Sequence, residues 1–179
     1  MTPKKAYTNT IKKTIKIMKR IIFLTIALLP ILTSSISFAQ TNFNGTWKYK
    51  SQESISGKLY ANGSPSKVIV TINGKDLKMD YLTNDSLNDV PSSETFTGGK
   101  TFETKTKSGR KKVVVLTWSA DKSSFTEVSN IFSLTDAGKL DFKNIDVWTM
   151  ADGELILDRE NENYTNGETW ESKATYEKQ

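Results

Sequence analysis

The sequence has no cysteine and no histidine among its 179 residues. Without cysteine the chain forms no disulfide, so a hydrophobic core alone must stabilise its fold. The two absences also exclude Ser–His and Cys–His nucleophilic catalysis, acid–base catalysis by histidine, and zinc sites built on either residue. We therefore predict a protein that is not an enzyme and that has no catalytic residues and no cofactor.

The acidic residues are the remaining candidates for chemistry. Two carboxylates about 5 to 9.5 Å apart can hydrolyse a glycosidic bond, but 20 acidic residues make some such pair inevitable. Calcium takes oxygen ligands, and four acids lie close in sequence: Asp158, Glu160, Glu162 and Glu168. Asn163 stands where an EF-hand requires glycine. A solvated loop explains this segment better, so we predict no metal site.

An unbroken apolar run, Ile21–Leu32, follows a Lys-Arg pair near the N-terminus, and a Ser- and Thr-containing stretch then leads to Ala39. A basic region, an apolar region of about 7–15 residues and a small-x-Ala end make up a secretory signal peptide. We predict a signal peptide over residues 1–39. The Met-Lys-Arg triplet at Met18 is itself a good start to such a peptide, so Met18 is an alternative initiator.

An uncleaved membrane anchor is the alternative for this segment. Residues 21–38 contain Pro30 and five Ser or Thr residues, which weaken them as a membrane span of about 20 apolar residues. We expect cleavage after Ala39, an exported protein in the periplasm or outside the cell, and no stable membrane span after cleavage.

The formal net charge of +5 comes from the predicted signal peptide. Of 25 basic and 20 acidic side chains, seven basic and no acidic ones lie in residues 1–39. Residues 40–179 therefore carry 18 basic and 20 acidic side chains, a net charge of −2. Nucleic-acid binders present basic surfaces, so we predict no nucleic-acid partner.

Residues 40–179 repeat one pattern, a strand that meets a tight turn and returns. The strongest example is Val147–Asp158, whose centre is an Asp-Gly pair of the kind favoured in two-residue hairpins. Val68–Ile72 meets an Asn-Gly pair, and Thr83–Ser93, rich in Asn, Asp and Ser, predicts a loop. No stretch shows a sustained helical period. We predict one all-β domain, an antiparallel up-and-down meander of about eight to ten strands that closes into a barrel, because closure removes exposed strand edges.

The strand before the Asp-Gly pair changes its alternation. Leu140 and Phe142 share one face. Ile145 and Val147 fall on the opposite face. Because one extra residue moves every later side chain to the other face of a sheet, we predict a β-bulge near Asn144.

The element Gly45-Thr46-Trp47 opens the predicted domain, and a Trp-containing hairpin with a Tyr-x-Lys-Gln tail ends it over Trp148–Gln179. In these features the chain resembles the lipocalin, or calycin, superfamily, and within it small secreted bacterial lipocalin-like proteins. The resemblance implies an eight-stranded barrel with an internal ligand cavity. Lipocalins also place an arginine of the last strand against the first-strand tryptophan. No arginine follows Arg159, so Lys173 is the candidate for that place, as a weaker stacking partner.

Seven residues of the predicted strands are candidates to line a ligand cavity, which in proteins is concave and mostly apolar. They are Trp47, Tyr49, Met79, Tyr81, Trp118, Trp148 and Trp170. The alternative is that they fill the interior, since an eight-stranded barrel has room either for its own side chains or for one small ligand. An enclosed apolar cavity of about 300 Å³ or more beneath Trp47 would favour binding, and a filled interior would contradict it. Glu103 and Arg159, if they face inward, are candidates to anchor the polar end of a ligand.

We therefore expect an exported, non-catalytic barrel that binds a small, largely apolar molecule. The alternative is a structural or protein-interaction domain of the cell envelope whose barrel is filled and takes no ligand. The sequence specifies neither the ligand nor the oligomeric state.

Overall fold

The computed structural model describes residues 42–60, 63–85, 88–97 and 100–179. The predicted signal peptide, its cleavage site and the alternative initiator lie outside these residues. The described chain contains ten strands and no helix. The strands are β1 Gly45–Ser56, β2 Lys67–Asn73, β3 Asp76–Asp85, β4 Asn88–Thr97, β5 Phe102–Lys105, β6 Lys111–Trp118, β7 Ser124–Phe132, β8 Leu140–Ala151, β9 Glu154–Asn163 and β10 Glu168–Lys178.

All ten strands belong to one antiparallel sheet in the order β4-β3-β2-β1-β10-β9-β8-β7-β6-β5. Each strand pairs with its neighbour in the chain except at the step from β4 to β5, and β1 also pairs with β10. The sheet therefore curls into a nearly closed barrel, which confirms the predicted all-β meander. Side chains span the gap between β4 and β5: the rings of Phe96 and Phe102 lie 5.7 Å apart, and Lys112 Nζ lies 2.5 Å from Glu94 Oε1.

The predicted turns make the predicted hairpins. Asp152 and Gly153 join β8 to β9 with φ angles of 53° and 82°, as a type I′ turn requires. Gly74, with φ of 62°, joins β2 to β3. These mirror-image turns twist with the strands that they connect, so they favour the antiparallel pairing of adjacent strands.

The Gly-x-Trp element has a structural role at the start of β1. Trp47 is fully buried, and its indole Nε1–H donates a hydrogen bond to the carbonyl of Phe43 (2.9 Å). Lys178 Nζ lies 5.3 Å from the centre of the Trp47 ring, which is within range of a cation–π interaction. A Cβ at Gly45 would lie 2.8 Å from Lys178 Cε, so glycine leaves room for this lysine. Lys178, and not Lys173 as we expected, lies over the first-strand tryptophan.

The predicted loop and bulge are both wrong. Most of Thr83–Ser93 belongs to β3 and β4, which pair directly with each other. The register between β7 and β8 is continuous through Asn144, and its irregularity lies at Asp141. Asp146, between Ile145 and Val147, is 5 % exposed. Asn144 and Asp146 therefore share the inner face of β8 with Phe142. The apolar residues Ile145 and Val147 face outward.

The barrel interior has two chemically different ends. At one end, called here the apolar end, the inward side chains are hydrophobic. They are Phe43, Trp47, Val68, Val70, Leu77, Met79, Phe96, Val114, Phe125, Trp148, Leu155, Leu157, Ala174 and Tyr176. Towards the other end, called here the polar end, the same strands present polar inward residues. On β7, for example, buried Phe125 is followed at the next two inward positions by Glu127 and Ser129, both 3 % exposed.

The register of β8 can be tested with the same substitution on two strands. Val70→Thr places a hydroxyl in the core, where Val70 is 2 % exposed, and we expect it to lower the free energy of unfolding by about 1–3 kcal/mol. Val147→Thr places the same group on the outer face, and we expect a change within about 0.5 kcal/mol. Urea unfolding followed by circular dichroism measures both. A loss at Val147 equal to the loss at Val70 would contradict the register described above.

Candidate functional site

Of the seven aromatic and methionine candidates, three are core residues, three line cavities and one is exposed. Trp47, Met79 and Trp148 are fully buried. Tyr49 is 37 % exposed. The other three, Tyr81, Trp118 and Trp170, each line a cavity. That the seven bind a ligand stays a prediction.

The space at the apolar end is filled by stacked and edge-packed rings. The Trp148 ring centre lies 6.3 Å from that of Phe125 and 5.9 Å from that of Tyr176. Phe43, which precedes β1, packs edge-on against Phe125 at 5.2 Å and against Trp118 at 5.7 Å. Side chains thus occupy the region beneath Trp47, where ligand binding would require a cavity of about 300 Å³. Room for a ligand lies instead towards the two ends of the barrel.

The first space, called here the apolar recess, opens beside the turn between β2 and β3. It has a volume of about 160 Å³, and a cavity of about this size holds a molecule as large as benzene. Its lining side chains are mainly apolar: Ile72, Leu77, Phe96, Leu116 and Trp118. Its rim carries one acid and three lysines: Asp76, Lys75, Lys100 and Lys122. The recess therefore combines an apolar floor with a net positive rim.

The second space, called here the polar chamber, lies inside the barrel towards the polar end and has a volume of about 150 Å³. Five ionisable groups other than tyrosine line it, one each from five strands: Glu94 of β4, Lys112 of β6, Glu127 of β7, Asp146 of β8 and Arg159 of β9. Its remaining lining residues are Ser64, Pro65, Tyr81, Thr83, Ser92, Ser129 and Asn144. Along each of these strands the inward residues change from apolar to polar at a similar height in the barrel. The polar inward residues together line the chamber.

Arg159 faces inward, as its candidate role requires, and is held on two sides. Its Nε lies 2.6 Å from Asp146 Oδ1 and its Nη2 lies 2.5 Å from Asp146 Oδ2, a bidentate ion pair. Its Nη1 donates to the carbonyl of Gly63. Burial disfavours the charged guanidinium, but the ion pair with Asp146 raises the pKa of Arg159 above its usual value. Glu103 lies on the outer face instead, with its side chain 63 % exposed and paired to Lys111 at 3.2 Å.

The surroundings of Glu127 in the chamber shift its ionisation. Its two oxygens accept hydrogen bonds from Ser129 and Tyr81, both at 3.2 Å, and Lys112 Nζ lies 3.6 Å away. Burial raises the pKa of Glu127, and the nearby Asp146 and Glu94 raise it further, to about 7, against the opposing effect of the cations. Glu127 is therefore partly protonated near neutral pH.

A wider, more open pocket of about 380 Å³ lies at the polar end and shares Asn144 and Arg159 with the chamber. Three aromatic rings line it, those of Tyr60, Phe142 and Trp170, and the rings of Tyr60 and Trp170 lie 5.5 Å apart. The hydroxyl of Tyr60 donates to Glu168 at 2.7 Å. This pocket, called here the vestibule, lies at the mouth of the polar end and adjoins the chamber.

Four residues of the chamber, Glu94, Lys112, Glu127 and Asp146, were missed from the sequence. Each occupies the inner face of its strand, but we expected inward residues to be apolar. Continuing the alternation from a neighbouring buried aromatic residue would have found two of them, since Glu127 lies two residues after Phe125 and Asp146 two residues before Trp148.

The acidic segment considered for calcium lies on β9 and β10. Asp158 and Glu160 are exposed on the outer face, and Glu168 accepts the hydrogen bond from Tyr60. In the described ranges, no group of three or more acidic residues is arranged to hold a metal ion. Those ranges also include no helix that is long and apolar enough to cross a membrane.

The raised pKa of Glu127 predicts how stability depends on pH. Between its ordinary value of 4.5 and its folded value of about 7, the folded protein holds a proton that the unfolded chain releases. The free energy of unfolding should therefore fall as pH rises through this window, by on the order of 3 kcal/mol, and level off above it. Glu127→Gln should remove this decline. Urea unfolding from pH 4.5 to 8 measures it, with Glu103→Gln as the exposed control; equal profiles for wild type and Glu127→Gln would contradict the assignment.

No family model matches the chain, and no curated protein matches its sequence. Solved structures do match its fold. Lipid binding protein 8 of Caenorhabditis elegans has a TM-score of 0.55 at 12% identity, over 82% of this chain and 100% of that one. Fatty-acid-binding protein 1 of Echinococcus granulosus has a TM-score of 0.52 at 18% identity, over 76% and 96% of the two chains. Zebrafish ileal bile acid-binding protein, complexed with cholic acid, has a TM-score of 0.51 at 19% identity, over 76% and 98%.

These likenesses concern the fold. The neighbours are named for the fatty acids, lipids or bile acids that they bind; that this chain is not an enzyme stays a prediction. The described residues form ten strands, two more than the lipocalin resemblance implied. The described domain is therefore a nearly closed ten-stranded barrel with the same fold as these fatty-acid- and lipid-binding proteins.

Proposed function

We propose that the protein is a non-catalytic barrel that binds a small, largely apolar molecule with an anionic group, in the apolar recess. The observation that carries this proposal is the pairing of an apolar floor with a lysine rim at an open end of the barrel. Pockets for small molecules are mostly apolar with a few polar groups that fix orientation. The binding of fatty acids, lipids and bile acids by proteins of the same fold supports it.

The size of the recess limits the ligand. A volume of about 160 Å³ suits a short acyl chain or a single ring, since a cavity of about this size holds benzene. The recess also lies at the end of the gap between β4 and β5, where side chains and not backbone hydrogen bonds join the strands. A longer chain would enter by parting Phe96 from Phe102, which breaks a ring contact and no strand pairing.

The alternative from another class is a structural or protein-interaction domain with a filled barrel. The packed rings of Phe43, Phe125 and Trp148 favour this alternative, because they occupy the centre of the apolar end. The two functions differ in whether the recess takes a ligand.

We also propose that the protein is exported to the periplasm or beyond the cell. The support is the signal-peptide pattern of residues 1–39. Mass spectrometry of the intact protein purified from its own host should give the mass of residues 40–179, with or without the loss of ammonia that follows cyclisation of the N-terminal Gln40. A chain that begins at Met1 or Met18 would contradict cleavage.

Binding in the recess can be followed by tryptophan fluorescence, because Trp118 lines it. Hexanoate should change the emission saturably, and Trp118→Phe should remove the change. Leu116→Phe fills the recess and should weaken binding at least tenfold. Val115→Phe is the matched control, because Val115 is adjacent in β6 and 40 % exposed; it should leave binding unchanged.

The rim is tested by charge. A triple variant should bind hexanoate about tenfold more weakly at low salt, since exposed ion pairs contribute about 0.2–1 kcal/mol each. Its substitutions are Lys75→Gln, Lys100→Gln and Lys122→Gln. The same variant should bind hexanol as the wild type does. If neither ligand produces a saturable signal with the wild type, the interaction domain becomes the better account.

A further inference from the structure

The two cations of the polar chamber are already engaged by protein groups. Arg159 is bound by both oxygens of Asp146 and by the carbonyl of Gly63. Lys112 Nζ contacts Glu94 at 2.5 Å and Glu127 at 3.6 Å. An anionic ligand would have to displace a buried carboxylate from its partner, and breaking a buried ion pair costs about 3–5 kcal/mol. The chamber is therefore poorly suited to an anion.

The chamber also holds one acid more than its cations can balance. Three carboxylates, those of Glu94, Glu127 and Asp146, face the two cations. Glu94 is 8 % exposed, and its Oε2 is buried with no hydrogen-bond partner in the described part of the chain. A buried acceptor without a donor costs about 1–3 kcal/mol, and more when it is charged. A ligand that brings a donor and a positive charge would satisfy this oxygen.

We propose that the polar chamber is a binding site for an organic cation, a protonated primary amine whose ammonium group donates to Glu94 beside Glu127. The site is distinct from the apolar recess and does not depend on the function proposed for it. The volume of about 150 Å³ holds a short alkylammonium ion. Serine and threonine hydroxyls of the lining, together with the Asn144 amide oxygen, can accept the remaining ammonium protons.

The aromatic lining is compatible with this ligand. The Tyr81 side chain lines the chamber, and its ring face can attract a cation. The vestibule, with Tyr60 and Trp170, shares Arg159 and Asn144 with the chamber. The part of an amine that does not fit in the chamber therefore has an aromatic-lined space at the mouth.

Binding of the amine is coupled to the ionisation of Glu127. The charged and titratable groups that face Glu127 are Tyr81 of β3, Glu94 of β4, Lys112 of β6, Asp146 of β8 and Arg159 of β9. A bound cation adds its positive charge to those of Lys112 and Arg159 and so stabilises the carboxylate form of Glu127. Binding therefore displaces the proton that Glu127 holds near neutral pH. Binding is then stronger at a pH above the pKa of Glu127, which is about 7.

The test compares three molecules of the same shape, namely butylammonium, butyramide and butyrate, by isothermal titration calorimetry. At pH 8 we expect butylammonium to bind at least tenfold more tightly than either of the others. Its affinity should fall about tenfold between pH 8 and pH 6, because the ionised fraction of a group with a pKa of about 7 falls by that factor. Titration of the wild type in two buffers of different ionisation enthalpy should show release of about half a proton at pH 7.

The variants separate the roles of the two acids. Glu127→Gln should bind butylammonium equally at pH 8 and pH 6, because the coupled proton is gone. Glu94→Gln should weaken binding at both pH values. Glu103→Gln is the matched control on the outer face and should match the wild type. Circular dichroism and urea unfolding of each variant report on the fold independently of either ligand, so loss of butylammonium binding can be told apart from loss of the fold.

Two results would overturn the proposal. One is a wild-type affinity for butyramide or butyrate equal to that for butylammonium at pH 8. The other is a pH dependence that persists in Glu127→Gln. Proton release in the wild type needs no substitution, so a variant that fails to fold leaves this measurement decisive.

Discussion

Buried ion pairs at the middle of the barrel constrain the rest of the structure. Removing a charge from water is costly unless a partner and hydrogen bonds compensate it, so Arg159 must meet Asp146 and Lys112 must meet Glu94 and Glu127. Five different strands supply these groups, and a shift of any one strand by one residue would turn its charge outward. The pair of Lys112 and Glu94 also spans the gap where β4 and β5 lack backbone pairing. Register, closure and the polar chamber therefore depend on the same contacts.

The charged level divides the interior into two environments. On the apolar side the rings pack against one another. The remaining free volume is the recess at the rim of the barrel, which is lined by lysines. On the polar side the charges exclude tight apolar packing and leave a chamber with an excess of acid. The two spaces have opposite preferences for charge, which follows from their linings. Under the two proposals, the barrel would take ligands of opposite charge at its two ends.

Local turn chemistry and apolar alternation were enough to predict much of the fold. The Asp-Gly pair predicted the hairpin of β8 and β9, and the Asn-Gly pair predicted the hairpin of β2 and β3. The same reasoning failed where polar side chains face inward. Asn144 and Asp146 made Ile145 and Val147 look like the inner face, and the polar residues of Thr83–Ser93 looked like a loop. The chamber could not be predicted for this reason, since its charges are stabilised only by partners on distant strands.

The ionisation of Glu127 in the folded protein tests this account most directly. Carbon-13 NMR of the side-chain carboxyl groups, with Glu127→Gln to assign the signal, gives its pKa without a ligand and without unfolding. The buried, acid-rich chamber predicts a pKa near 7. A value near 4.5, the ordinary one for this side chain, would show that Glu127 lies in water or is fully balanced by cations, and would contradict both the chamber and the coupling proposed for it.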